Sequence, residues 1–158
     1  MGKLTMTMEE MYDFLKEPRL CYVATLTKTG HPHVTPIWGY YDGQYFYMSL
    51  MDGNPKSRSL ARDPRLSIAV SSDKLPYKAV VVHGTAELVR GDVRSIVCNI
   101  AKKYVGEEQA DSVTDMLMRN SQIIVKVTPE RIYSWDQSKG TFDEVAAAEK
   151  SGKEFRTL

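Results

Sequence analysis

Apolar positions along this chain recur in two periods, one close to 3.6 and one close to 2, and the switches between them mark the elements. Thr7 and Glu10 stand at capping-box spacing. Met8, Met11, Tyr12, Phe14 and Leu15 then form a helical stripe that stops before Pro18. Leu20 to Leu26 is a nearly continuous apolar strand, and Thr29 with Gly30 turns the chain into a second strand from about His33 to Tyr41. Asp42 and Gly43 supply a hairpin turn into a third strand, Gln44 to Met51, so the first half reads as a meander. A short helix opens at Asn54 and Pro55, and a fourth strand runs from Arg65 to Ser71.

Lys78 to Val89 is the fifth strand. Its run from Ala79 to Val82 lacks the alternation of a sheet with one wet face, which predicts cover on both sides, the outer one from a helix or a second subunit. Asp92 is the expected cap of a helix carrying Val93, Ile96, Val97, Ile100 and Tyr104 on one side and ended by Gly106. A further helix spans about Glu107 to Arg119. Gln122 to Thr128 and Arg131 to Trp135 return to strand, with Pro129 between them, and a polar tail holds a short helix from Phe142 to Lys150.

At 158 residues, 42% of them hydrophobic, the chain is expected to form one domain, residues 1–158, with a core over about 18–135 and a tail over 136–158. A net charge of +1 argues against a general nucleic-acid binder. Cys21 and Cys98 stand far apart without metal-type spacing and read as structural thiols of a reducing compartment. No stretch approaches the roughly 20 apolar residues that cross a membrane, and no leader pattern opens the chain, so a soluble cytoplasmic protein is expected.

Charge matters at one place. Between Asn54 and Arg65 the chain carries four cations and one anion, against +1 for the whole. Asn54 is a favoured N-cap and Pro55 suits the first turn, so the amides of Lys56 and Ser57 are expected to face outward at a helix start that attracts anions. Lys56 and Arg58 add charge there, and Ser57 and Ser59 add hydroxyls. The ordinary alternative is an exposed basic helix.

Elsewhere the chemistry is thin. His31 and His33 are too few to hold a metal, no paired carboxylates sit in an apolar setting, and neither cysteine has an electropositive neighbourhood. The aromatic cluster of Trp38, Tyr40, Tyr41, Tyr45, Phe46 and Tyr47 is of the kind that stacks on a planar ring or fills a barrel's core and rim. A strand-rich scaffold with one phosphate anchor and no catalytic couple suits a borrowed redox cofactor.

The succession ATLTKTGHPHVTPIWGYYDGQYFYMSL, PKSRSLARDPRLSIAV and VVVHGTAEL resembles the split-barrel superfamily of pyridoxamine-phosphate-oxidase-like flavoproteins over roughly Pro18 to Trp135. Lys56, Arg58, Ser59 and Leu60, followed by Arg62, Asp63, Pro64 and Arg65, resemble its flavin and deazaflavin oxidoreductase branch, which often has Asn where Ser59 stands. The resemblance implies a mainly β, α+β fold: a six-stranded split β-barrel with flanking helices, working as a homodimer with two shared cofactor sites. It implies that Thr35, Pro36, Ile37 and Trp38 border the ring, Met48 and Ser49 the ribityl chain, and Lys56 and Arg58 the phosphate. The partner subunit would close the site through Val82, His83 and Trp135.

Between cofactors, the Lys-x-Arg helix favours the longer phosphate-bearing tail of the deazaflavin coenzyme F420, with FMN as the alternative. RIYSWDQSKG stands where pyridoxamine-phosphate oxidases carry an arginine-leucine-x-proline segment, which argues against vitamin B6 oxidation. The implied activity is hydride transfer between the reduced cofactor and a small conjugated acceptor such as an enone or quinone. The competing reading is a protein that holds a flavin or haem-type ligand without turnover. Tyr40, Tyr77, Tyr133 and water are the candidate proton sources.

Overall fold

A computed structural model describes residues 4–151. The elements follow in the order α1 (Met8–Lys16), β1 (Cys21–Leu26), β2 (Pro32–Ile37), β3 (Gly39–Tyr41), β4 (Phe46–Met51), α2 (Pro55–Arg62), β5 (Arg65–Ser71) and β6 (Lys78–Val89). The chain continues through α3 (Arg94–Val105), α4 (Glu107–Leu117), β7 (Gln122–Asp136), a short 3-10 turn and α5 (Phe142–Lys150). No helix among the described residues is long and apolar enough to cross a membrane.

The strands form one antiparallel sheet of seven in the order β2-β1-β5-β6-β7-β4-β3. Its two edge strands, β2 and β3, are neighbours in sequence and are joined through Trp38 alone. The sheet therefore has to curl until its edges meet at that residue, which makes a split barrel. The strand expected over 33–41 is broken there, and the sheet has seven strands where the family resemblance implied six. Gly39 is the residue that lets the chain through: a Cβ on it would lie 2.6 Å from the Cys21 Sγ.

The inward-facing side chains of alternate positions fill the barrel: Val23, Phe46, Met48, Ile68, Val70, Val80, Val82, Val125, Val127 and Ile132 are buried together, with Met11, Phe14 and Leu15 of α1 closing one side. A second cluster, Val93, Val97, Ile100 and Ile124, packs α3 on the outside of the β4–β7 half, with Trp38, Tyr40, Tyr47 and Tyr104 against it.

Two local expectations need correction. The two strands expected on either side of Pro129 are one strand, because β7 itself bulges beside it, at Glu130. The register passes from His83↔Arg131 to Gly84↔Pro129, leaving Glu130 unpaired. A bulge accommodates a residue that cannot donate to the ladder. Gly84 sits so tight against β7 that a Cβ there would lie 2.5 Å from the Thr128 carbonyl oxygen. Asp92 does not cap α3; the N-cap is Val93, whose hydrocarbon side chain has no acceptor for a cap bond and is buried instead in the second cluster. The capping boxes of Thr7 with Glu10 and Thr141 with Glu144 are both formed.

Candidate functional site

Helix α2 follows β4 after a short turn and leans on β1, β4 and β6. Its start is built as the sequence implies, with one difference. The Asn54 Oδ1 accepts from the Ser57 amide at 2.8 Å, so of the two amides expected to face outward only that of Lys56 lies beyond the cap. The Ser57 hydroxyl donates to the Asn54 carbonyl at 3.0 Å, and the Ser59 hydroxyl accepts from Arg62 Nη2 at 3.3 Å. Both serine side chains are buried and serve the helix itself.

The cations divide by role. Arg65 makes paired hydrogen bonds to Asp63 at 2.9 and 2.6 Å, which hold the Asp63 carboxyl down at about 2. Arg62 donates to the Leu26 carbonyl at 3.3 Å and fastens the helix to the end of β1. Arg58 is exposed, with one guanidinium nitrogen on the Gly53 carbonyl. Lys56 is half-buried, makes no ion pair among the described residues, and has its pKa lowered by burial.

Where the barrel edges meet, a cavity of about 180 Å³ is lined by Ile37, Trp38, Ser49, Val97, Ile100, Leu117 and Gln122. Three of the residues expected to touch a cofactor, Ile37, Trp38 and Ser49, thus come together from β2, the edge junction and β4. Thr35 shares the inner face of β2 with Ile37, and its hydroxyl is buried without a partner, as is that of Thr25 on the neighbouring strand. Ser49 donates to Gln122 Oε1 at 2.8 Å, while Gln122 Nε2 donates to the Leu117 carbonyl at 3.0 Å. Gln122 was missed at the sequence level; its one signal is a polar side chain opening the apolar run QIIV.

The other expected residues lie outside this cavity, Val82, His83 and Trp135 being those expected to act from the partner subunit. Met48 and Val82 are each 1% exposed and face the barrel core, because alternation turns them away from Ser49 and from Val81. Pro36 is exposed and lies opposite Tyr22, on the outer face. His83 is exposed too, edge-on to Tyr133 with centroids 5.2 Å apart, and Trp135 lies opposite Ala79. The outer face of β2-β1-β5-β6-β7 also presents Tyr22 and Val34, 45% and 57% exposed. A wider cleft of about 370 Å³ on this face includes Arg65, His83 and Glu130. Its arginine is already matched to Asp63 and its glutamate to Thr85, so it lacks a cation that, like Lys56, is without an ion pair among the described residues.

No group of three metal-ligating side chains occurs among the described residues. Cys21 is buried, and desolvation raises the pKa of its thiol, which makes it a poor nucleophile. The cavity offers an apolar slot with one aromatic wall, which suits a planar group, and the start of α2 offers a half-buried ammonium with no carboxylate partner among the described residues, which suits a phosphate.

The family model for pyridoxamine 5′-phosphate oxidase matches residues 7–136. A conserved hypothetical protein of Mycobacterium tuberculosis is 25% identical, with 88% of this chain and 90% of that one covered and a TM-score of 0.77. A protein described as an F420 reductase is 20% identical over 76% of this chain and 93% of its own, with a TM-score of 0.62. A heme storage protein from Vibrio cholerae is 18% identical over 82% and 96%, with a TM-score of 0.66. The latter two share the fold. None of the curated proteins matches the chain.

Proposed function

Because the chain belongs to the pyridoxamine 5′-phosphate oxidase family, we propose that it is an oxidoreductase that uses a flavin-type cofactor, the deazaflavin F420 in preference to FMN, to exchange a hydride with a small conjugated acceptor. The observation that carries this reading is Lys56, a half-buried ammonium at the capped start of α2 with no carboxylate partner among the described residues. Burying a charge without a counter-charge is unfavourable, and an incoming phosphate removes that penalty.

Lys56 and Arg58 would hold the phosphate. Ile37 and Trp38 would lie along the ring, and the orphan Thr35 hydroxyl would find a partner on the ligand. Ser49 spends its proton on Gln122, so it meets a ligand as an acceptor. Bound there, the cofactor supplies the hydride chemistry. The chain's own residues orient it and exclude water.

The cavity is smaller than a flavin-sized ligand needs, by comparison with sites of roughly 300 to 1,000 Å³. A second copy of this chain, seated on the outer face that carries Tyr22, Val34, Val81, Tyr133 and Trp135, would supply the missing wall. Titration of the purified protein with F420 and with FMN, followed by ligand fluorescence, tests the reading. Micromolar or tighter binding of one of them, with turnover of a quinone, is the expected result. A Soret band on addition of haem, with no binding of either flavin, would replace it by the ligand-holding alternative.

A further inference from the structure

On the side of the barrel where α1 and α3 flank β3, a second cleft of about 360 Å³ shares no lining residue with the Ile37–Ser49 cavity. Its volume is in the range of small-molecule sites, roughly 300 to 1,000 Å³. The lining has two chemistries. Tyr12, Tyr40 and Tyr41 supply aromatic surface, and Lys16, Lys102 and Lys103 supply three cations with no carboxylate among the lining residues.

The lysines are not equivalent. Lys16 is matched by Asp13 at 2.9 Å and Lys102 by Glu107 at 2.7 Å. Lys103 donates to the Gly39 carbonyl at 2.8 Å, and its charge is half-buried against the Tyr104 ring with no anionic partner among the described residues. Burial lowers its pKa, with the Cys21 side chain the one group acting to raise it. Asn99 on the rim adds an amide able to donate.

From the Lys103 charge set beside tyrosine rings and without an anionic partner among the described residues, we propose that this cleft binds a small planar carboxylate of the aromatic type, its carboxylate on Lys103 and Asn99 and its ring against Tyr12 and Tyr40. The position gives such a ligand a route to the cofactor cavity. The Gly39 carbonyl that holds Lys103 belongs to the residue after Trp38, and Trp38 lines that cavity. A carboxylate that draws Lys103 off Gly39 therefore acts one residue from the ring-binding wall. The site and this coupling are independent of which cofactor binds.

The test uses the full chain and benzoate as the probe, at constant ionic strength, followed by amide chemical shifts. Saturable shifts at Gly39 and at the Asn99 side chain are expected. Lys103→Met should weaken them at least about tenfold, as loss of a charge-assisted contact does. Asn99→Asp, an exposed change that does not threaten folding, should do the same by placing a carboxylate on the rim. Lys74→Met, on a distant loop, should leave them unchanged. Shifts that never saturate, that map to Thr35 and Lys56, or that are equal in the parent, Lys103→Met and Asn99→Asp would overturn the proposal.

Discussion

The Trp38 indole lies flat on the Tyr104 ring, with centroids 4.8 Å apart and planes within 3° of parallel. This stack joins α3 to the one residue that links the edge strands, so the wall of the cavity is set by a helix remote in sequence. The Tyr104 hydroxyl adds to it by accepting from the Gly39 amide at 2.9 Å and donating to the Arg19 carbonyl at 2.6 Å. Burial raises the pKa of that phenol, which keeps it a donor at any ordinary pH.

Tyr104→Phe should keep the stack and lose both hydrogen bonds. The expected cost is about 1–3 kcal/mol, as for a buried group left without its partner. Urea unfolding measures it, and Trp38 emission should shift because Gly39 is released. A stability equal to the parent's would show that these bonds hold nothing.

Gly39→Ala should destabilise by about 1–3 kcal/mol, since its Cβ would meet the Cys21 Sγ at 2.6 Å and the core is otherwise filled. Adding Cys21→Ala removes the obstructing sulfur and should recover much of the loss. A double-mutant cycle on urea midpoints reads the coupling; additive effects would place the clash elsewhere.

Asp136 is 5% exposed and bonded to Lys78 at 2.9 Å and to the Ser138 hydroxyl at 2.6 Å. Burial works to raise its pKa, but the hydrogen bonds from Ser138 and Lys78 outweigh it and hold the carboxyl below its usual range. A lowered folded pKa means stability that is present above the unfolded value, about 3.9, and lost as the pH falls through the lower folded value. The stability gap between the parent and Asp136→Asn should therefore be widest near neutrality and close below about pH 4. Urea curves from pH 3 to 7 decide it.

The chain should be a dimer through the outer face of β1, β5 and β6. Val81→Asp, which puts a charge amid Tyr22, Ala69 and Tyr133, should give monomers by light scattering and weaken cofactor binding with it. A parent that is monomeric at micromolar concentration would remove the second wall from the proposed site.

Most of this fold was legible because periodicity, caps and turns are local. The α2 cap at Asn54, the 12 residues of β6 and the capping box at Thr7 are where the sequence puts them. What was not legible depends on partners distant in sequence. The break at Trp38 goes with the close approach of Gly39 to Cys21, and the continuity of β7 through Pro129 follows from its own bulge at Glu130 opposite β6. At the site, the expected list ran along the chain, whereas alternation sends neighbours to opposite faces. Ser49 and Ile37 therefore line the cavity while Met48 and Pro36 do not, and Gln122 enters from a strand that no local signal connects to Ser49.

The central claim is that the start of α2 grips a phosphate, and Lys56 tests it most directly. Lys56→Met removes a half-buried charge that has no ion-pair partner among the described residues, so the unliganded melting temperature should hold or rise slightly. Binding of F420 or FMN should weaken by about 10 to 150-fold, the equivalent of one charge-assisted hydrogen bond of roughly 1.5 to 3 kcal/mol. Arg58→Met should weaken it in the same direction, and the parent's affinity should fall with salt. Fluorescence titration of the parent and both variants at two salt concentrations is the measurement. Tenfold or greater loss with stability intact is the predicted result, and cofactor affinities equal to the parent's in both variants would contradict the account.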